Sequence, residues 1–395
     1  MLSVAKNISP QDSDKQTLRW TVSRFVVVAC CLSFATNQIS CQRFTEEVST
    51  SSVIIREKPF SFESKRKPLI RLTPPEREEI WNFVRLPQDE EIGLSCVVHF
   101  LKVYSERPEK YMEEIRHLMS VIQKEEMAKK VLGDTLFRPS RFGIAITTGR
   151  TARTQETHRD QGIAELGLIG IPATFEIETN GRTYPFREAI KECVTNFYLQ
   201  KRELAWSAVA LTLYLPPQSE WVNRYGERCN FDQLTDELMR RRFEDNSCAG
   251  AHLLESLTLI YKISLNEQIL SQEKQQELGK RLHVIFNTLL QTQHEAGYWR
   301  LDWFASIPDY GQPFQDAHRW TPPDDPEGRL LATCHVVEWM LDLPDEFAVP
   351  DKTFVKAGRW MIDHLKAKGL AFYPPCPYTH VVRVLELLSI IENDQ

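Results

Sequence analysis

The segment Cys248–Glu255 reads CAGAHLLE and places a histidine at the start of an apolar run. Two other segments repeat this arrangement: TCHVVEWM begins at Thr333, and YTHVVRVLELL begins at Tyr378. In the first two segments a glutamate follows the histidine by three residues. The pattern has two interpretations: a catalytic or metal-binding cluster, or equivalent helices of a repeated helical fold.

The spacing of these segments indicates a repeat. His335 and His380 are 45 residues apart, and 46 residues separate Trp206, which begins another apolar helix, from His252. The 83 residues between His252 and His335 correspond to about two such units. A recurring helical pair of about 40 to 47 residues predicts a stacked array, open as in a solenoid or closed as in a toroid.

Helical periodicity covers most of the chain and predicts a mainly all-α fold. The stretch 271–293 has the clearest pattern, with Leu278 and Leu282 on one apolar stripe. Near 133–185 the pattern is irregular, and an Asn180–Gly181 step between alternating residues predicts a small hairpin there. The predicted helices span 90–104, 108–131, 160–168, 185–200, 202–215, 230–243, 248–263, 271–293, 327–342, 351–368 and 377–391.

The N-terminal residues differ in composition from the rest of the chain. Residues 25–35 read FVVVACCLSFA, with arginines before them and small residues at the end, which is the layout of a secretory signal over 1–35. An uncleaved signal anchor and a cytosolic start are the alternatives, although a spanning helix needs about 20 apolar residues. Residues 36–72 are polar and lack a period, so we expect a flexible linker before a single domain over 73–395. This layout predicts export to the cell envelope or beyond, with membrane contact only through an uncleaved N-terminal segment.

Composition excludes several function classes. The net charge of −6 and the isoelectric point near 6.0 give no reason to expect a nucleic-acid partner. Nucleotide chemistry and classical serine hydrolysis are not indicated, because the sequence has no Gly-rich phosphate loop, GxSxG or HExxH motif. The nine cysteines form no CxxC pair, so we expect buried free thiols, with one or two disulfides as the alternative.

The stretch LLQTQHEAGYW contains Gln293, Gly297 and Trp299 at the spacing of the QW motif of terpene cyclases. With the helical pairs, it is similar to the (α/α) toroids of terpene cyclases, protein prenyltransferase β-chains and several polysaccharide lyases and epimerases. The resemblance covers roughly 75–392 and implies an (α/α) toroid of helical hairpins around a central funnel. The CxGxH stretch at Cys248 also resembles one in exported bacterial proteins, which implies architecture and no activity.

The same resemblance bears on metal binding. Protein prenyltransferases bind zinc through an Asp, a Cys two residues later and a distant His. Cys248 and His335 match the Cys and the His, but Asn246 stands where the Asp is expected. Since Cys248 also lies one turn before His252, zinc held by Cys248, His252 and His335 is our metal hypothesis, and the cofactor is otherwise unknown.

Two histidine–glutamate pairs are the catalytic candidates. Residues at i and i+3 share a helix face, so a histidine with a carboxylate one turn away forms an oriented acid/base pair if both point into a funnel. The structural alternative is that these residues cap helix ends. The candidates are His252, Glu255, His335 and Glu338.

The substrate-binding candidates come from three other places: the stretches HRDQG and GYWRLDWF, and the histidine of YTHVVRVLELL. HRDQG could line the mouth of a funnel, with a polar helix start as the alternative. GYWRLDWF pairs aromatic faces with a carboxylate, as sugar-binding clefts do, with packing of the QW motif as the alternative. These candidates are His158, Asp160, Trp299, Asp302, Trp303 and His380.

Two functions remain open. The first is a ligand-binding or scaffold role in the cell envelope, with a glycan or envelope component as partner. The second is an enzyme (a lyase, hydrolase or cyclase) acting on a glycan or terpenoid-like substrate. Convergence of the four catalytic candidates within about 10 Å in an open cavity favours the enzyme.

Overall fold

The structure is a computed structural model that describes residues 53–86, 92–146, 158–246, 248–308, 325–369 and 375–390. The chain divides into two compact units, Met1–Glu46 and Glu47–Gln395, and every described residue lies in the second. The predicted signal and the first part of the predicted linker lie outside the described residues.

Helices dominate the described residues and confirm the mainly all-α class. None of the described helices has the length and apolar composition needed to cross a membrane. The helices in this part of the chain are α1 (Pro74–Trp81), α2 (Leu94–Tyr104), α3 (Met112–Gln123), α4 (Glu125–Leu132), α5 (Gln161–Leu168), α6 (Arg187–Thr195), α7 (Leu204–Tyr214), α8 (Phe231–Arg240), α9 (Ala251–Ser264), α10 (Gln272–Thr292), α11 (Pro326–Asp342), α12 (Asp351–Lys368) and α13 (Pro375–Leu388).

Two classes of helix can be distinguished by burial. Helix α7 is buried at every position, as expected for a helix that is apolar on all sides. Helices α2, α5, α7, α9, α11 and α13 contact one another in that order, and α13 also contacts α2. Amphipathic helices pack on this set with one face each: α3 on α2, α6 on α7, α10 on α9, and α12 on α11 and α13.

Four pairs of short strands complete the described structure. The predicted hairpin is confirmed, and Asn180 and Gly181 both have positive φ, as the favoured two-residue turn requires. The pairs are parallel β1 (Ile70–Arg71) with β8 (Ser389–Ile390), and antiparallel β2 (Phe137–Pro139) with β3 (Ile144–Ile146), β4 (Glu176–Thr179) with β5 (Arg182–Pro185), and β6 (Glu220–Val222) with β7 (Arg228–Asn230).

The helix predicted over 108–131 is two helices in the structure. Lys124 has extended backbone angles and separates α3 from α4. In one straight helix Glu125 would lie on the same face as the buried Leu118 and Ile122. The break takes Glu125 off that face, and its side chain accepts a hydrogen bond from Lys129 at 2.6 Å.

Residues 53–72, which the sequence analysis assigned to the linker, form an ordered strap instead. Backbone N–H groups of Phe60, Lys65 and Lys67 donate to carbonyl oxygens at the C-terminal ends of α7, α11 and α13. Helix ends leave such carbonyls without intrahelical partners, and the strap satisfies them. Phe60 and Ile70 are buried, so the strap also contributes to the core, and the domain begins before residue 73.

Candidate functional site

Four buried histidines lie in contact with one another on the facing sides of four helices. The rings of His252 and His335 are 5.3 Å apart between centroids, and those of His335 and His380 are 4.2 Å apart. His99 meets His380 edge-on at 5.2 Å. The four side chains come from α2, α9, α11 and α13. We call these residues the histidine layer.

Two cysteines lie against one end of the histidine layer. Cys248 precedes α9, and Cys376 lies in the first turn of α13. Their sulfurs and a ring nitrogen of His335 all lie within 4.8 Å of one another. Two thiols and an imidazole at this spacing form a donor set that suits zinc.

The turn that presents Cys248 depends on a glycine. Gly250 has φ of 77°, and a Cβ at this position would lie 2.5 Å from the Cβ of Phe243. Only glycine fits this backbone conformation without displacing Phe243. The Cys-Ala-Gly-Ala-His stretch is therefore a compact turn that leads directly into α9.

A layer of charged side chains lies on the other side of the histidines. The Lys102 ammonium is 3.3 Å from Glu338, 3.6 Å from Glu255 and 3.9 Å from Glu165. Arg383 donates to Glu338 at 2.5 Å. We call the histidine layer, the two cysteines and these five residues the polar cluster. Because charges buried in a helical protein are costly unless paired, this concentration needs an explanation beyond packing.

Glu338 connects the charged layer to the histidines. One of its oxygens lies 2.7 Å from Nδ1 of His380 and 3.7 Å from Nδ1 of His335. Although burial opposes ionisation, Lys102 and the two histidines hold the pKa of Glu338 well below its usual value. A carboxylate in this position fixes the orientation of both imidazole rings.

The surroundings of His335 and Cys376 favour the charged form of both side chains. A hydrogen bond from Cys248 and, against the effect of burial, the interaction with His335 lower the pKa of Cys376 to about 5. Burial opposes protonation of His335, but the neighbouring thiols and Glu338 raise its pKa well above the usual value. Deprotonated sulfur is the form that binds metals and acts as a nucleophile.

A cavity of about 820 Å³ opens beside the charged layer. Asp342 lines it at the C-terminal end of α11 and accepts a hydrogen bond of 2.5 Å from the Ser64 hydroxyl of the strap. Burial raises the pKa of Asp342 to about 6. The polar side chains that line the cavity include Ser64, Arg66, Lys102, Glu106, Glu255, Asp342 and Arg383.

The four catalytic candidates come together in the structure. Lys102 bridges the carboxylates of Glu255 and Glu338. His252 Nδ1 lies 3.4 Å from Glu255, and the His252 ring contacts that of His335. Glu255 lines the cavity and the histidines lie behind it, so the set is adjacent to open space.

The three predicted metal ligands are only partly grouped. Cys248 and His335 belong to one close set of donor atoms, but its third member is Cys376 and not His252. The His252 ring contacts Trp206 at 4.2 Å between centroids with a tilt of 39°, and its Nδ1 lies 3.4 Å from Glu255. The structure therefore replaces His252 by Cys376 in the metal hypothesis.

The other predicted residues have different positions. His158 joins the site: despite burial, hydrogen bonds with Cys248 and Glu203 raise its pKa to about 9. Asp160 is buried and ion-paired with Lys201, which is the arrangement of a structural residue.

The aromatic stretch does not offer open platforms in the described residues. Trp299 is fully buried, and its indole N–H donates to the Leu289 carbonyl at 2.8 Å. Trp303 is buried against Phe243. Asp302 is on the surface and pairs with Arg300 at 3.0 Å.

Six residues of the cluster and cavity were missed: His99, Lys102, Glu165, Asp342, Cys376 and Arg383. One signal was present for Cys376, which precedes His380 by four residues as Cys248 precedes His252. Lys102 and Arg383 follow His99 and His380 by three residues, as the two glutamates follow their histidines, whereas Glu165 and Asp342 carry no such pattern. Cys248 and Cys376 both have free thiols.

Comparison with known proteins adds no relative to this picture. No protein-family model matches the chain, and no curated protein matches it in sequence. The function must therefore be argued from the site itself.

Proposed function

We propose that this protein is a zinc-dependent enzyme of the cell envelope that acts on a polar substrate. The observation that carries the proposal is the meeting of Cys248, His335 and Cys376 within 4.8 Å, supplied by three separate elements of the fold. Catalytic zinc sites use three protein ligands and leave one position open, whereas structural sites use four. A Cys₂His set belongs to the first class.

The donor set fits zinc better than the family resemblance alone would suggest. Asn246 occupies the position of the Asp ligand of prenyltransferases, and its amide donates to the Arg242 carbonyl at 2.7 Å. Cys376 supplies the donor that Asn246 does not. Bound zinc would supply a Lewis acid that lowers the pKa of a group at its open position.

The surrounding side chains are arranged for proton transfer. Glu338 orients His335, and Lys102 neutralises the carboxylates that would otherwise repel one another. The His252–Glu255 pair connects this region to the cavity, because Glu255 lines the cavity and His252 touches His335. An imidazole paired with a carboxylate is an oriented acid/base.

The cavity favours one of the two predicted substrate classes. Its lining includes three cationic side chains (Arg66, Lys102 and Arg383) and three carboxyl groups (Glu106, Glu255 and Asp342). These groups can bind a hydroxyl-rich molecule, whereas a hydrocarbon chain would leave them without hydrogen-bond partners. We therefore propose a glycan-like substrate in preference to a terpenoid, and a lyase or hydrolase in preference to a cyclase. Export, which rests on the N-terminal sequence pattern, is consistent with such a substrate.

We also propose the (α/α) toroid as the architecture. It is supported by the order of helix contacts, which begins and ends at α2. It is also supported by the position of the polar cluster among these helices, where the funnel of a toroid would lie.

Metal analysis of the purified full-length protein tests the proposal. We expect zinc to copurify and the zinc content to fall by about one ion per chain in Cys248→Ser and His335→Gln, with the fold monitored by circular dichroism. The control Cys193→Ser removes a buried thiol on α6 outside the cluster. A parent that binds no zinc, or variants with the same zinc content as the parent, would refute the zinc site.

A second function rests on the same residues. Cys376, His335 and Glu338 have the order of a thiolate nucleophile, an imidazole and an orienting carboxylate. If zinc does not bind and Cys376 reacts with iodoacetamide at pH 6 much faster than Cys193 does, this interpretation replaces the first. Protection of Cys376 by added zinc would favour the metal enzyme.

A further inference from the structure

A second set of donor atoms adjoins the zinc site. His99, Cys376 and His380 each offer one ligand atom, and these atoms also lie within 4.8 Å of one another. Cys376 belongs to both sets. His99 and His380 come from α2 and α13, whereas Cys248 precedes α9 and His335 lies on α11.

The hydrogen bonds of His99 and His380 define their tautomers. Nδ1 of His99 lies 2.6 Å from the Ser95 carbonyl oxygen, which can only accept, so this nitrogen carries the proton. Nδ1 of His380 lies 2.7 Å from Glu338, which also accepts from Arg383. In both rings the lone pair is therefore on Nε2. This second-sphere arrangement, with Nδ1–H on a carbonyl or carboxylate, is the one found at metal-bound histidines.

A buried nitrogen without a partner marks the position of the missing ligand. His380 is 3% exposed, and its Nε2 has no hydrogen-bond partner. A buried lone pair left unsatisfied is costly, and a bound ion satisfies it.

From this geometry we propose that His99, Cys376 and His380 bind a second divalent transition-metal ion, and that the Cys376 thiolate bridges it to the ion held by Cys248 and His335. The inference rests on the proposed zinc site, because the two sites share Cys376. A thiolate sulfur lies about 2.3 Å from each zinc ion it binds. One bridging sulfur can therefore hold two ions at the separation of about 3.5–4 Å that is usual in two-metal sites.

Cobalt titration of the metal-free full-length protein tests the inference. Co²⁺ reports thiolate ligation by charge-transfer absorption, and metal analysis after dialysis gives the number of ions retained. We expect two equivalents for the parent, one for His99→Gln and one for Cys248→Ser. Cys376→Ser should retain neither ion tightly. The control is His364→Gln on α12, which removes a partly buried histidine outside the polar cluster.

The outcomes separate this inference from the zinc proposal. A parent that saturates at one equivalent, with His99→Gln unchanged, would overturn the second site and leave the first intact. A parent that binds no cobalt would overturn both. If His99→Gln does not fold, electron paramagnetic resonance of the parent decides: magnetic coupling between two Co²⁺ ions supports the bridge, and the signal of one isolated ion refutes it.

Discussion

The QW motif (Gln293, Gly297 and Trp299) and the polar cluster both bury hydrogen-bonding groups, but they treat them differently. In the QW motif the Gln293 amide donates at 3.0 Å to the carbonyls of Gly297 and Thr353. The Trp299 indole donates to the Leu289 carbonyl. The partners are backbone carbonyls of α10, of the turn that follows it and of α12, so the motif connects these three segments.

The polar cluster, in contrast, contains buried polar atoms without hydrogen-bond partners. Ring nitrogens of His335 and His380 have no hydrogen-bond partner, and three carboxylates surround the single ammonium of Lys102. Buried polar groups with closed hydrogen bonds stabilise a fold, whereas open ones and crowded like charges are features of functional sites. The comparison indicates that the hydrogen-bonded side chains of the QW motif stabilise the fold, whereas the unsatisfied groups of the polar cluster are available to bind a ligand.

The largest effect should come from the QW motif. Trp299→Ala removes a fully buried indole, and we expect a loss of about 3–5 kcal/mol in the free energy of unfolding. Because Trp299 is separate from the donor atoms, the folded variant should retain the zinc content of the parent. Urea unfolding followed by metal analysis measures both.

Trp360→Ala is the control, since Trp360 is only partly buried against the core. If Trp299→Ala lost zinc without losing stability, the division between a structural motif and a functional cluster would be refuted.

The second prediction is a substitution that stabilises the fold, Asp342→Asn, by an amount that depends on pH. The pKa of Asp342 rises on folding from 3.8 to about 6 because the carboxyl group is buried. The folded state therefore binds more protons than the unfolded state between these pH values, and the contribution of Asp342 to stability falls as the pH rises through this window. Asp342→Asn removes this loss and keeps an acceptor for the Ser64 hydroxyl.

We expect Asp342→Asn to gain on the order of 3 kcal/mol relative to the parent between pH 4 and pH 8. Unfolding curves of both proteins at several pH values give the difference in their free energies of unfolding. The contributions of all other titrating groups cancel in this difference. Asp363→Asn, on the exposed face of α12, is the matched control. A constant difference across this range would show that Asp342 has no raised pKa.

The sequence predicted an element well where the residues of that element alone determine its pattern. The period of apolar residues identified α10 and α12 almost to the residue, and Asn180–Gly181 identified a hairpin. The break at Lys124 was missed because an amphipathic pattern does not report a change of direction. The strap was missed because its main interactions are backbone hydrogen bonds to distant helix ends, which leave no side-chain pattern.

The candidate site was predictable to the same extent, from local spacing but not from contacts between distant elements. His252, Glu255, His335 and Glu338 were found because each pair repeats a spacing on its own helix. His99 and Lys102 act through partners on other helices, and nothing in their local sequence identifies those partners. Sequence patterns therefore supplied half of the cluster, and tertiary contacts supplied the rest.

The smallest expected change in stability tests the structural role of the QW motif most directly. Gln293→Ala removes two hydrogen bonds and leaves the carbonyls of Gly297 and Thr353 without that partner, so we expect a loss of about 1–2 kcal/mol in the free energy of unfolding. Gln291→Ala, two residues earlier and exposed, should change stability by less than about 0.5 kcal/mol. The expected change in stability for Gln293→Ala is thus opposite in sign to that for Asp342→Asn, although both native side chains are polar and hydrogen-bonded within the domain. If Gln293→Ala were as stable as the parent, the QW motif would be a feature of sequence without energetic weight, and its use as a marker of the fold would lose its physical basis.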